Sequence, residues 1–175
     1  MAIFYPIPEL PAKPDRALLT IPDGTAGIAA TLRVMVQWAR MFATDSAIHN
    51  LASAIVAGVE QKNYYAEAAA VQDFVKRQIR YVRDTFTAET LQTPIITLER
   101  SQGDCDDQAL LVAALLLALG HPVRFIAVAL DTPGNYAHVL TQTKIGAGWY
   151  GVETTEDVPF GWTPPLDFPP LIRHI

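Results

Sequence analysis

The chain predicts an α+β fold, a helical N-terminal half followed by an antiparallel sheet, and three observations carry that prediction. Apolar residues recur at helical spacing between Thr25 and Val82. A dense apolar run from Ala109 to Leu119 stops at Gly120 and reads as one buried helix. After Pro122 the period shortens to that of strands, and glycine-containing turns separate them. The 175 residues suffice for one domain with a real core. That domain is expected to span 1–175, as a proline-rich arm over 1–24, a helical part over 25–83, a core over 84–158 and a proline-rich tail over 159–175.

The arm holds Pro6, Pro8, Pro11, Pro14 and Pro22. Proline blocks helix and central strand alike, so an extended arm is expected. In the first helix Ile28, Leu32, Met35, Val36, Ala39 and Phe42 share one face. Thr44-Asp45-Ser46 stops it and supplies a new N-cap. Ile48, Leu51, Ala52, Ile55 and Val59 form a second stripe, and a third helix is expected from Tyr64 to Val82. The segment from Arg83 to Gln102 is long for a loop, so part of it should pack on the domain. The helix opened by Cys105 follows. Val123 to Leu130, Tyr136 to Thr143 and Trp149 to Thr154 then read as three strands of an antiparallel meander laid against helices. The tail, with Pro164, Pro165, Pro169 and Pro170, is expected to be irregular.

Composition removes several classes. A net charge of −5 and a pI near 5.2 argue against nucleic acid, which needs a basic face. The apolar run falls well short of the roughly 20 residues of a membrane span. The start, Met1-Ala2-Ile3-Phe4-Tyr5-Pro6, lacks the basic and apolar stretches of a signal peptide, so a cytoplasmic location is expected. A single cysteine excludes an intramolecular disulfide and suits a reducing compartment.

That cysteine sits where chemistry is expected. In Ser101-Gln102-Gly103-Asp104-Cys105-Asp106-Asp107-Gln108 a thiol opens an apolar helix. Unpaired N–H groups and the positive dipole end at a helix start favour a thiolate, the nucleophilic form. Asp104, Asp106 and Asp107 oppose that ionisation, and they are also natural capping residues. A thiol needs a base, and His138 in the second strand is within reach of a helix packed on the sheet. Glu153, in the third strand, is placed to hold the imidazole in one tautomer. A zinc site built from Cys105, His138 and a carboxylate lacks the close Cys and His spacings such sites use. His49, His121 and His174 read as structural.

These residues carry a family resemblance. Gly103-Asp104-Cys105-Asp106-Asp107 and the apolar helix after it resemble the nucleophile motif of transglutaminase-like cysteine enzymes. So does the order helix, Gly120, Pro122-Val123-Arg124-Phe125, strand. Trp149 stands four positions before Glu153 and Thr155 two after it, resembling the family's motif of Trp, then Asp, x, Thr, with glutamate in the aspartate's place. Val75 to Asp84, Leu91 to Pro94 and Thr97-Leu98 are similar to the lead-in of its prophage-encoded bacterial members. The resemblance runs from about Ala26 to Thr155.

It implies a papain-like core and cysteine-dependent acyl transfer at an amide bond. Cys105 would be the nucleophile, His138 the proton shuttle and Glu153 the orienting acid, with Asp157 as the reserve candidate. The Cys105 N–H would be one oxyanion donor, and the second lies among Tyr81, Gln92 and Gln102. No organic cofactor and no metal is required. The expected substrate is a peptide or protein amide, with hydrolysis favoured over transfer to an amine and with no membrane or nucleic acid partner. The alternative is a non-catalytic binding or assembly protein of a phage particle. It would be virion-associated and would use the proline-rich arms to dock on a second copy or another particle protein.

Overall fold

The computed structural model describes residues 16–18, 24–83 and 90–175. The elements run β1 (Arg16–Leu18), α1 (Thr25–Ala43), α2 (Ser46–Val56), α3 (Tyr64–Gln78), β2 (Arg80–Tyr81), β3 (Thr90–Gln92) and α4 (Pro94–Arg100). After them come β4 (Gln102–Gly103), α5 (Cys105–Ala118), β5 (Val123–Ala129), β6 (Tyr136–Ile145), β7 (Gly148–Val152) and β8 (Leu171–His174). The α+β class holds: helices lie against an antiparallel sheet of order β7-β6-β5-β8. The proline-rich arm lies outside the described residues except for β1, which pairs antiparallel with β3.

Local chemistry sets most helix ends. The Asp45 carboxylate accepts the Ala47 N–H and starts α2, and the Asn63 side chain accepts the Ala66 N–H and starts α3. Gly120 has φ 85°, and the Gly120 and His121 N–H groups return to the Leu117 and Leu116 carbonyls, closing α5. His121 then reaches Glu67, with Nε2 2.8 Å from Oε2. That is the structural role expected of it.

Three elements differ from the sequence expectation. The third helix stops at Gln78, not Val82, because Arg80 and Val82 donate their N–H groups to the Ser101 and Gly103 carbonyls. A parallel pairing of β2 with β4 thus replaces a helical turn. Within the long connecting segment, Thr93 and Pro94 start the short helix α4, with proline in the first turn where its missing N–H costs nothing. The tail is not wholly irregular, since β8 adds an antiparallel edge strand to β5.

α5 is the hub. Residues 107 to 116 are all buried, and α1, α2, α3 and α4 all pack against the helix. Leu110, Leu111, Leu115 and Leu116 are completely buried, each contributing roughly 1.5–3 kcal/mol by leaving water. On the sheet side the Thr141 hydroxyl donates to the Ala109 carbonyl at 2.7 Å, tying β6 to the first turns of α5.

The tail covers the sheet's other face. Thr141 and Thr143 bond toward α5 and Pro122, so Gln142 between them faces away. Gln142 Nε2 donates to the Thr163 hydroxyl at 3.1 Å, and the Gly161 N–H donates to the Gly151 carbonyl. By Leu171 the chain has reached the far edge, beside Ala127. Residues 162–170 therefore cross the outer face, where Ile126, Val128 and Leu140 are buried with Ile172 against them. Gly151 is the crossing point: a Cβ there would come within 1.8 Å of the Trp162 carbonyl oxygen. Gly151→Ala is expected to lower stability by about 1–3 kcal/mol through overpacking against backbone, read as a lower urea midpoint. An unchanged midpoint would mean that the tail is not seated on β7.

Candidate active site

Cys105 is the first residue of α5, and the first turn of that helix is almost fully satisfied by the residue before it. The Asp104 carboxylate accepts the Asp106 and Asp107 N–H groups at 3.1 Å each, and its carbonyl accepts the Gln108 N–H. Among the described residues none accepts the Cys105 N–H. One backbone donor is thus left at the nucleophile, the arrangement an oxyanion requires.

On the sheet, β6 carries a bulge beside its key residue. The register pairs Val128 with His138 but Ala129 with Tyr136, so Ala137 is the extra residue. A bulge bends the strand and re-aims the side chain that follows, here His138. The Val139 N–H next to it is near enough to Cys105 to pull the thiol's pKa down. Strand β6 therefore meets the thiol within one residue of the imidazole.

β7 pairs with β6 only as far as Val152 opposite Thr141, so Glu153 follows just past the strand end. Its carboxylate is buried, 1% exposed, and every oxygen is used. Oε2 accepts from His138 Nε2 at 2.6 Å. Oε1 accepts from the Thr155 N–H at 2.7 Å and the Thr155 hydroxyl at 2.8 Å. Burial alone pushes this acid up. The hydrogen bond and charge of His138 and the two Thr155 donors more than offset it, holding Glu153 at about 2. An ionised carboxylate only accepts, so Nε2 carries the proton and Nδ1 is the ring nitrogen left outside the Glu153 bond. Thr155, two positions on, is explained as the second holder of the carboxylate. Asp157, the reserve acid, lies in solvent with its Oδ1 3.2 Å from Lys76 Nζ.

The thiol departs from expectation. Burial first, then the Asp106 and Asp104 carboxylates, push Cys105 well up, although the Val139 N–H pulls the other way. Its proton goes to Asp106 Oδ1 at 3.4 Å. The favourable field of a helix start is outweighed by low solvation and two adjacent negative charges. The resting residue is a thiol.

Of the three candidates for a second oxyanion donor, Gln92 is committed elsewhere, while Gln102 keeps its Nε2 donors and Tyr81 its phenol. Gln92 Nε2 is committed to Asp107 Oδ2 and the Gln102 carbonyl. The Gln102 side chain accepts from Arg80. Tyr81 sits opposite Gly103 in the β2–β4 register and is half exposed. Its phenol is pushed up by partial burial and then by Cys105 and Asp104, so it stays an O–H donor close to the thiol. Among the described residues no three His, Cys, Asp or Glu side chains converge as metal ligands, and no helix is long and apolar enough to cross a membrane.

The family model of the transglutaminase-like superfamily matches residues 49–154, from α2 through Glu153. A candidate cysteine protease from Cytophaga hutchinsonii superposes with a TM-score of 0.53 at 24% identity, over 64% of this chain and 38% of that one. A candidate protease from Parabacteroides distasonis superposes with a TM-score of 0.52 at 14% identity, over 74% of this chain and 26% of that one. At these identities the likeness establishes a shared fold alone, and this chain spans well under half the length of either structure. No curated protein matches the chain.

The Glu153 carboxylate ties the site to stability. Its folded value, about 2, lies below the ordinary 4.5. Its contribution is therefore present above 4.5 and is lost as pH falls toward 2, and it amounts to roughly 3 kcal/mol. Urea unfolding of Glu153→Gln beside the wild-type chain should show a deficit at neutral pH that closes between about pH 5 and pH 2. A deficit independent of pH would contradict the assignment.

Proposed function

The chain belongs to the transglutaminase-like superfamily, and from that membership we propose that it is a cysteine-dependent acyl-transfer enzyme acting at amide bonds through Cys105, His138 and Glu153. The observation that carries the reading is the buried Glu153–His138 pair, on a strand whose next residue, Val139, is near enough to Cys105 to lower the thiol's pKa.

The geometry supports the following cycle. The Cys105 thiol gives its proton to His138 Nδ1 as the sulfur attacks the carbonyl carbon, while the Nε2 proton stays on the ring, donated to the Glu153 carboxylate. Because the resting group is a thiol, this transfer belongs to the attack and is general-base catalysis. The carbonyl electrons move onto oxygen, which the Cys105 N–H and the Tyr81 phenol receive. His138 then returns the proton to the leaving amine nitrogen and a thioester remains. Water, its proton taken by His138, attacks the thioester and releases an acid and the thiol; an amine in place of water gives a new amide. Hydrolysis is the favoured outcome.

The second reading, a non-catalytic binding or assembly protein of a phage particle, draws on one observation: the thiol is held protonated by burial and by its two carboxylate neighbours.

An activated ester separates the two readings without knowledge of the substrate. p-Nitrophenyl acetate should give a burst of nitrophenolate and an acetyl group on Cys105, absent in Cys105→Ser and slowed by roughly 100-fold or more in His138→Ala. A chain that never becomes acetylated at Cys105 supports the binding protein. Tyr81→Phe should slow the burst by about 10-fold or more while leaving iodoacetamide alkylation of Cys105 unchanged, because alkylation forms no oxyanion. An unaltered burst in Tyr81→Phe would remove Tyr81 from the oxyanion site.

A further inference from the structure

Asp107 is a buried carboxylate that the cycle above does not use. It is 1% exposed and lies one turn into α5, two residues after the nucleophile. Its Oδ1 accepts the Gln92 N–H at 2.7 Å, and its Oδ2 accepts Gln92 Nε2 at 2.5 Å and the Asp104 N–H at 3.4 Å. Gln92 Nε2 also donates to the Gln102 carbonyl at 3.3 Å. One carboxylate thus joins β3 and the residue directly before Cys105, and through Gln92 it also holds β4.

We propose that Asp107 and Gln92 form a buried clamp that positions the Cys105 N–H and sulfur against the substrate carbonyl. The proposal deepens the acyl-transfer reading and rests on it. Capping alone does not account for the arrangement, because Asp104 already serves the Asp106 and Asp107 N–H groups. A capping box asks only that the third residue reach back to the cap. Here that residue is also tied to a side chain and a backbone N–H on another element, in bonds of charge-assisted length. Gly103 is shaped to the same contact, since a Cβ there would lie 2.7 Å from the Asp107 Cβ. The loop that delivers the nucleophile is therefore pressed onto Asp107 and held from its far side by Gln92. Attack on a carbonyl is steeply sensitive to such placement, where an error of about 1 Å costs on the order of 100-fold.

Two variants and two probes test the clamp. Asp107→Asn sets an amide N–H against Gln92 Nε2, and Gln92→Leu removes the side-chain donor while keeping the backbone one. p-Nitrophenyl acetate reads carbonyl attack, and iodoacetamide reads the thiol without an oxyanion. Both variants are expected to melt cooperatively, to lose about 10-fold or more of the acetylation rate, and to keep alkylation within about threefold of the wild-type chain. If Asp107→Asn does not fold, Gln92→Leu carries the test alone. A burst kept within about twofold in a folded variant, or both probes falling together, overturns the clamp. A wild-type chain that is alkylated at Cys105 but never acetylated overturns the acyl-transfer reading beneath it.

Discussion

A carboxylate stripped of water must be repaid in hydrogen bonds, and Glu153 sets that requirement for the whole site. An isolated buried charge is costly, and the group would simply take up a proton. Instead its oxygens receive His138 Nε2, the Thr155 N–H and the Thr155 hydroxyl, and the acid stays ionised to about 2. The ionised state dictates the tautomer of His138, and the tautomer dictates which ring nitrogen is left to act as a base in the proposed cycle. The surrounding architecture serves this bond. β7 ends at Val152 so that the next residue turns in, and the bulge at Ala137 re-aims the histidine. The tail seals the outer face of the strands that carry both residues.

The other half of the site has the opposite electrostatics. Asp104 and Asp106 flank the nucleophile and hold its proton in place. Asp104 is also the cap that satisfies the first turn of α5, so one side chain both starts the helix and places a negative charge beside the thiol. A partly buried thiol beside two carboxylates is a weaker resting nucleophile than a thiolate. Activation then has to come from a base placed by the fold, and the rigid pairing of His138 with Glu153 supplies one. Reactivity in this arrangement depends on geometry more than on a standing thiolate.

Much of this was legible in the residues. The helix stripes, the Asp45 cap, Gly120 as the end of α5 and the three-stranded meander all follow from local pattern. The order Cys105, His138, Glu153 on a helix and successive strands points to a convergence, and the substitution of glutamate is visible at once. What was hidden depends on distant partners. The sequence after Gln78 is able to continue as helix, and only the carbonyls of Ser101 and Gly103, brought close in space, turn it into a strand. β8 is four residues between prolines and the chain end, with no period to read. The Gln92–Asp107 contact left no signal beyond an aspartate in a capping position. The direction of the Cys105 shift needed burial, which a sequence does not state.

The central claim is that Glu153 fixes His138 with its proton on Nε2 and its bare Nδ1 toward the Cys105 sulfur. Nitrogen-15 spectra of a chain labelled at histidine, recorded before and after alkylation of Cys105, test it directly. The account predicts an Nε2-protonated neutral ring at His138 whose Nδ1 resonance moves when the sulfur is modified. A proton on Nδ1, or an Nδ1 resonance indifferent to the modification, would contradict it.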